Sequence, residues 1–241
     1  MKRRFLSLAL LTLISLPCPA VAQEKEIIVH EAWFAHMESA GGWVAADKGL
    51  FGKIKVREVQ GGTSISPIQE VVAAVKAGNI AFGNDYPENI IRVREKEGID
   101  LIAVSVDFQA SAMRITSWKP IKSAKDIKGD FGIWIGYDTK AKCTVGKGWE
   151  KQFSIQNQGG DIKPWLFGNW SLASAMTYNE LIIAQREMKK MRKTFYTIDY
   201  KSLGIDWMDN VLFTTEEIVK KYPDVVQAVV TGRYKGFRWA Y

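Results

Sequence analysis

Ala173-Ser174-Ala175-Met176-Thr177-Tyr178-Asn179-Glu180-Leu181 is the stretch on which the reading of this chain turns. Small and apolar residues run up to Thr177. A polar, aromatic cluster then opens Leu181-Ile182-Ile183-Ala184-Gln185-Arg186-Glu187-Met188, whose apolar residues recur at helical spacing. The stretch therefore predicts a buried strand that turns into a helix. In open α/β sheets ligands bind beyond the carboxyl ends of strands, where the next helix starts and its free N–H groups point outward. Thr177, Tyr178, Asn179 and Glu180 stand at that point; the competing reading has Thr177 and Asn179 capping the helix while Tyr178 packs.

Outward from this stretch, strand and helix signals alternate in both directions. Ile27-Ile28-Val29 is a β-type run followed by a loop, Glu31 to His36, that carries Trp33 and Phe34. Trp43 to Lys48 reads as a helix stopped by Gly49, and Ile54 to Val59 as an alternating strand that ends in Gly61-Gly62-Thr63-Ser64-Ile65-Ser66-Pro67. A helix from about Pro67 to Ala77 leads to the strand Ile80 to Gly83, the polar turn Asn84-Asp85-Tyr86-Pro87-Glu88 and a helix through Glu97. Leu101 to Val106 is a continuous apolar run of the kind buried in parallel sheets. Beyond Gln109 the alternation restarts, with the turn Trp118-Lys119-Pro120, a short helix near Ser123 to Lys128 and a strand over Phe131 to Tyr137. It runs on through Thr177 to Phe195–Asp199. Val211-Leu212-Phe213 and helices from about Thr215 and Asp224 read as a return to the first unit. No internal repeat is visible. Phe237, Trp239 and Tyr241 lie near a helix end without a capping signal, which predicts that the natural chain continues past Tyr241.

The N-terminus sets the expected compartment. Lys2-Arg3-Arg4, the apolar run Phe5 to Leu16 and the small-x-small site Ala20-Val21-Ala22 predict a secretory signal peptide over residues 1–22 and a periplasmic mature protein. Cys18 raises the alternative of a lipoprotein, against which Pro17 is the wrong preceding residue. Removing the leader leaves Cys143 alone, so no internal disulfide can form. The formal charge of +7 falls to +4 without Lys2, Arg3 and Arg4, too little to imply a nucleic-acid partner. The basic run Lys189 to Lys193 reads as a solvated helix end. With 241 residues, 47% of them hydrophobic, the chain can bury a substantial core.

Several motifs, taken in their order, carry a resemblance: Trp33 followed by Trp43-Val44-Ala45-Ala46-Asp47-Lys48-Gly49-Leu50-Phe51, Ala77 to Gly83, Ile121 to Gly129, Ala175 to Leu181, and Leu212 to Glu217. In these the chain resembles the periplasmic solute-binding proteins of ABC importers, in the group that handles nitrate, sulfonates, riboflavin and thiamine-pyrimidine precursors. The resemblance implies an α/β fold of periplasmic-binding-protein type II: two lobes, each a helix-covered, mostly parallel sheet, joined by a two-stranded hinge with the ligand cleft between them. It divides the chain into residues 23–110 and 208–241 for the first lobe and 111–207 for the second, and implies a monomer that delivers a small molecule to an inner-membrane permease. The same superfamily includes thiamine-pyrimidine synthases that consume one of their own histidines. Counting back from Gly49-Leu50-Phe51, that position holds Ser39 here, with Glu38 before it, and their cysteine-rich motif is missing.

Other catalytic patterns are also missing: the only histidines are His30 and His36, and there is no HExxH, paired CxxC, P-loop or nucleophile elbow. A histidine beside Trp33 reads as structural. Binding is thus expected rather than catalysis, with no cofactor and no metal site. The strand ends nominate Trp33, Phe34, Thr63, Asn84, Asp85 and Tyr86 from the first lobe, Gln109 from the crossover, and Tyr137, Asp138, Thr177, Tyr178, Asn179 and Glu180 from the second. Aromatic faces and carboxylates suit an amino-substituted heterocycle such as a pyrimidine. The alternative is an oxyanion, sulfonate or nitrate, at the Gly61-Gly62 turn before a helix, a pair that equally reads as a tight turn. Trp165 and Trp170 read as a further stacking wall or as core.

Overall fold

A computed structural model describes residues 26–63 and 66–241. The leader with Cys18, and Ser64 and Ile65 of the glycine turn, lie outside the described residues. Two five-stranded sheets organise the rest. The first contains β1 (Ile27–Glu31), β2 (Val56–Val59), β3 (Ile80–Asp85), β4 (Leu101–Phe108) and β10 (Asp209–Thr215), in the order β2-β1-β3-β10-β4. The second contains β5 (Met113–Ser117), β6 (Gly129–Ile133), β7 (Phe153–Asn157), β8 (Leu172–Met176) and β9 (Tyr196–Asp199), in the order β7-β6-β8-β5-β9. Both sheets are mixed in the same way. Four strands share one direction, and the fifth, β10 or β5, runs against both of its neighbours.

Period-2 alternation lets one strand feed two cores. Ile80 and Phe82 of β3, with Ile27, Val29 and Leu212, face α1 (Ala40–Lys48), α7 (Glu216–Lys221) and α8 (Pro223–Ala240). Ala81, with Val211 and Phe213, faces α2 (Pro67–Lys76) and α3 (Pro87–Glu97). Helix α8 crosses α1 at contact distance because both are glycine there: a Cβ on Gly236 would come within 1.9 Å of the Gly41 carbonyl oxygen. In the second sheet Ala173 and Ala175 leave room for Trp165 of α5 (Lys163–Leu166) and for Ala184 and Met188 of α6 (Glu180–Met191). The opposite face packs Phe131, Ile133, Phe153 and Leu172 with Ala141 of α4 (Thr139–Val145).

Three expectations change. Leu101 to Val106 is not a doubly buried strand: β4 is the edge of its sheet, paired only with β10, and Ile102 and Val106 are exposed. The strand expected to reach Tyr137 ends at Ile133, which frees Trp134 and Tyr137 to leave the sheet. The helix near Ser123 is one 3-10 turn, Ala124–Asp126, fixed by a reciprocal Ser123–Asp126 capping box. Phe237, near the chain end, is covered by an edge-on contact with Phe108, centroids 5.6 Å apart.

Candidate functional site

Where the two sheets face each other, a cavity of about 500 Å³ lies beyond the carboxyl ends of their parallel strands. From the first sheet come Glu31 at the end of β1, the loop Ala32 to His36, the 3-10 turn Met37–Ser39 that contributes Met37 and Glu38, and Asn84 and Tyr86 at the end of β3. Strand β10 runs against its neighbours, so its first residues reach the same level, and Asn210 joins the lining. Asn210 holds φ +47°, a left-handed conformation that asparagine tolerates better than most side chains. From the second sheet come Trp134 and Tyr137 after β6, and Met176, Tyr178, Asn179 and Glu180 at the β8–α6 junction.

Of the residues nominated from sequence, Trp33, Phe34, Asn84, Tyr86, Tyr137, Tyr178, Asn179 and Glu180 therefore line the cavity. Five do not. Asp85 alternates with Asn84 along β3 and points the other way, where its Oδ1 accepts from the Tyr86 N–H (2.7 Å) and from Asn89 Nδ2 (2.9 Å) at the start of α3. Asp138 pairs with Lys142 one turn along α4. Thr177 is held by its backbone, its N–H donating to the Ala112 carbonyl (3.0 Å). Gln109 and Thr63 are exposed, on the crossover and in the glycine turn. At Gly61 that turn packs against the first loop: its N–H donates to the Trp33 carbonyl (2.8 Å), and a Cβ there would sit 2.2 Å from the Glu31 oxygen. Trp165 is fully buried, stacked on Trp118 away from the cavity, and Trp170 lies against Gly132, so both belong to the second core.

His36, Glu38, Trp134 and Asn210 line the cavity without having been nominated. His36 does serve as a cap, since its Nδ1 accepts from the Glu38 N–H (3.2 Å), but its ring also stacks on Tyr178 across the cleft at 6.0 Å and 13°. Ser39 is buried: its Oγ accepts from Trp43 Nε1 (3.2 Å) and donates to the His36 carbonyl (3.2 Å). The remaining signal in the sequence was the loop itself, whose two aromatics run straight into the turn that carries Glu38.

The electrostatics are those of a desolvated, carboxylate-rich cleft. Burial lowers the His36 pKa to about 4, so the ring is neutral at neutral pH. Burial, reinforced by the negative charge of Asp209, raises Glu38 to about 8. Burial also raises Glu180, whose oxygens accept from the Met176 N–H (3.0 Å) and from Asn179 Nδ2 (2.9 Å). Burial holds the Tyr86, Tyr137 and Tyr178 hydroxyls protonated, which keeps them available as donors. Behind Tyr86, Lys140 of α4 lies 4.5 Å from the ring centroid and bonds Asp209 of β10, tying the two sheets together out of water. Under the first sheet's edge, Arg233 of α8 bonds Glu31 (2.7 Å) and Asp107 (3.0 Å), with Glu58 at 3.5 Å. Asp107 in turn accepts from Asn84 Nδ2 (2.7 Å). Among the described residues the lining holds Glu31, Glu38 and Glu180 and neither lysine nor arginine, and no group of three histidine, cysteine or carboxylate side chains is placed to hold a metal.

Comparison with curated proteins gives no match. Among solved structures, the ligand-binding component of an ABC-type import system from Staphylococcus aureus, described with zinc bound, superposes with a TM-score of 0.57 at 16% identity, over 89% of this chain and 74% of that one. The periplasmic aliphatic sulphonate-binding protein SsuA from Escherichia coli gives 0.57 at 13% identity, over 89% and 72%. The periplasmic nitrate-binding protein NrtA from Synechocystis gives 0.58 at 11% identity, over 89% and 61%. At these identities the likeness is one of fold, the two-lobe periplasmic-binding-protein architecture. The family model described as NMT1/THI5 like matches residues 36–241, most of the chain, and the protein belongs to the NMT1/THI5-like family.

Proposed function

We propose that this protein is the exported, ligand-capturing component of an ABC-type importer, and that it binds an amino-substituted nitrogen heterocycle of pyrimidine size without altering it. One observation carries this reading: an aromatic-walled cavity of about 500 Å³ whose described lining has three carboxylates and no cationic side chain. Trp33 and Tyr178 offer ring faces, and Glu180 keeps lone pairs for a ligand amino group. Such a lining offers sulfonate and nitrate no lysine or arginine counter-charge, whatever fold it shares with proteins that bind them. Closure of the two lobes about the crossings near Gln109 and Trp207, a periplasmic location, a permease partner and action as a monomer complete the proposal. Among the described residues no helix is long and apolar enough to cross a membrane.

Calorimetry against aminopyrimidines, riboflavin, alkanesulfonates and nitrate, with mass spectrometry of any molecule that co-purifies, tests it. Saturable binding of an aminopyrimidine recovered unchanged is the expected result. Saturable binding of an anion alone, or release of a chemically altered ligand, would overturn it.

A further inference from the structure

Glu38 is placed oddly for an ordinary carboxylate. It is 4% exposed, lines the cavity, and has no cation bonded to it. Its Oε2 accepts from Asn210 Nδ2 (2.9 Å) and from the Tyr86 hydroxyl (3.4 Å), both arriving from the first sheet. Its Oε1 is buried with no hydrogen-bond partner. The surrounding titratable and charged groups are Asp209 of β10, which opposes a second negative charge; Lys140 of α4, whose ammonium is committed to Asp209; the hydroxyls of Tyr86, Tyr137 and Tyr178; and the neutral His36 of its own turn. An ionised carboxylate here would keep a buried Oε1 with no donor at hydrogen-bond distance, which burial penalises. A carboxylic acid has no such problem. With Oε2 taken up by two donors, its proton belongs on Oε1.

We propose that Glu38 serves the cleft as a neutral carboxylic acid, donating its Oε1–H to an uncharged acceptor on the ligand, a ring nitrogen or a carbonyl oxygen. This rests on the reading of the cavity as a ligand site and specifies one side of the ligand. Glu180 takes hydrogen-bond donors and Glu38 takes an acceptor, so the molecule recognised presents both on a flat ring. A ligand protonated at that edge is selected against, because it has no lone pair to offer. The Tyr178 hydroxyl also reaches this carboxyl, as a donor that favours the ionised form, but burial and the charge of Asp209 outweigh it.

Two measurements test it. The first needs no ligand: the infrared difference between the wild type and Glu38→Gln should contain the carbonyl band of a protonated carboxyl at pH 7, lost as pH rises through about 8. Absence of that band at pH 7 overturns the proposal. The second uses 4-aminopyrimidine as probe at pH 7 and pH 9. Wild-type affinity should fall about tenfold at pH 9 as the acid ionises. Glu38→Gln, whose amide N–H₂ replaces the O–H while its oxygen keeps Asn210 and Tyr86, should bind within about threefold of wild type at pH 7 and lose the pH dependence. Glu38→Met should bind weakly at both. A wild-type affinity that is flat or rises with pH overturns the proposal. Failure of the wild type to bind the probe at either pH counts against the heterocycle reading, and the infrared result then decides the state of Glu38 alone.

Discussion

The two sheets are built on one plan and equipped differently. Strand order and direction match one for one: β2-β1-β3-β10-β4 against β7-β6-β8-β5-β9, with the reversed strand fourth in each. Both bring three aromatic rings to the cleft, Trp33, Phe34 and Tyr86 from the first and Trp134, Tyr137 and Tyr178 from the second. The first adds the polar groups of Glu31, His36, Glu38, Asn84 and Asn210, with Arg233 bonded to Glu31; the second adds Asn179 and Glu180, and its rings rest on an apolar core with Met113, Ile115 and Ile133. The more polar wall stands on a buried charge network, and the other stands on packing. The comparison thus separates two ways of supporting a binding surface, and substitutions in each should fail in different ways.

The largest effect is expected beneath the polar wall. Arg233→Met removes the one cation from Glu31, Asp107 and Glu58, and breaking a buried pair of this kind costs about 3–5 kcal/mol. Equilibrium unfolding in urea should show this at pH 7 and a smaller loss at lower pH, where the stranded carboxylates take up protons. Trp165→Ala, in the apolar core on the α6 face of the second sheet, should cost a similar amount, about 3–5 kcal/mol, through the cavity it leaves. That loss should not change between the same pH values. Equal pH dependence in the two variants would break the distinction between the walls.

Effects on binding come next. Glu180→Gln removes a charge-assisted acceptor worth about 1.5–3 kcal/mol, so the affinity for an aminopyrimidine should drop roughly ten- to a hundredfold in calorimetry. Trp33→Ala should lower it too, through the lost ring face. An anionic ligand would respond to Glu180→Gln with the opposite sign. Unchanged aminopyrimidine affinity in both variants would remove these two residues from the site.

His36 and Glu38 should also place opposite slopes on stability. The His36 pKa is lowered to about 4 from 6.5. The unfolded chain therefore binds the extra proton between those values, and the stability that the neutral ring contributes is lost as pH falls through that window. The Glu38 pKa is raised from 4.5 to about 8. Its contribution is present at low pH and is lost as pH rises toward 8, at up to about 1.4 kcal/mol per pH unit. Glu38→Gln should remove the loss that builds between about pH 4.5 and 8, and His36→Asn the loss that builds as pH falls from 6.5 to about 4, so between 4.5 and 6.5 the two variants change the slope in opposite senses.

What the sequence made legible follows from distance along the chain. The β8–α6 junction is local, so its strand, its helix and the three cleft residues Tyr178, Asn179 and Glu180 could be read from spacing alone. Strand β4 could not be placed: an apolar run says that a strand is β-prone, not that it ends up as an edge beside β10, whose sequence lies a hundred residues away in order of magnitude. Glu38 and Asn210 meet only through the fold, 172 positions apart. The duplicated sheet plan left no repeat because a plan constrains hydrophobic period and direction, not residue identity.

Asp138 and Glu180 make the finest comparison, because both are carboxylates at the start of a helix that follows a parallel strand of the second sheet. The strand ends nominate both. In the fold Glu180 opens α6 after the three residues Thr177 to Asn179 that follow β8, and is buried at the cavity wall, 6% exposed. Asp138 follows β6 after the four residues Trp134 to Tyr137, and the rings of Trp134 and Tyr137 take the wall while its carboxylate pairs with Lys142 one turn along α4. A half-exposed pair spaced four apart on a helix is worth about 0.3–0.5 kcal/mol. Asp138→Asn should therefore change the unfolding free energy by no more than about that amount and leave ligand affinity within about twofold of wild type, the error of a typical calorimetric comparison. Measured beside Glu180→Gln, it isolates placement from chemistry: the same functional group is removed from the start of two helices on opposite faces of the second sheet. A loss of affinity in Asp138→Asn comparable to that of Glu180→Gln would mean that α4 moves its first turn into the cleft when ligand binds, and the wall would then have to be redrawn to include it.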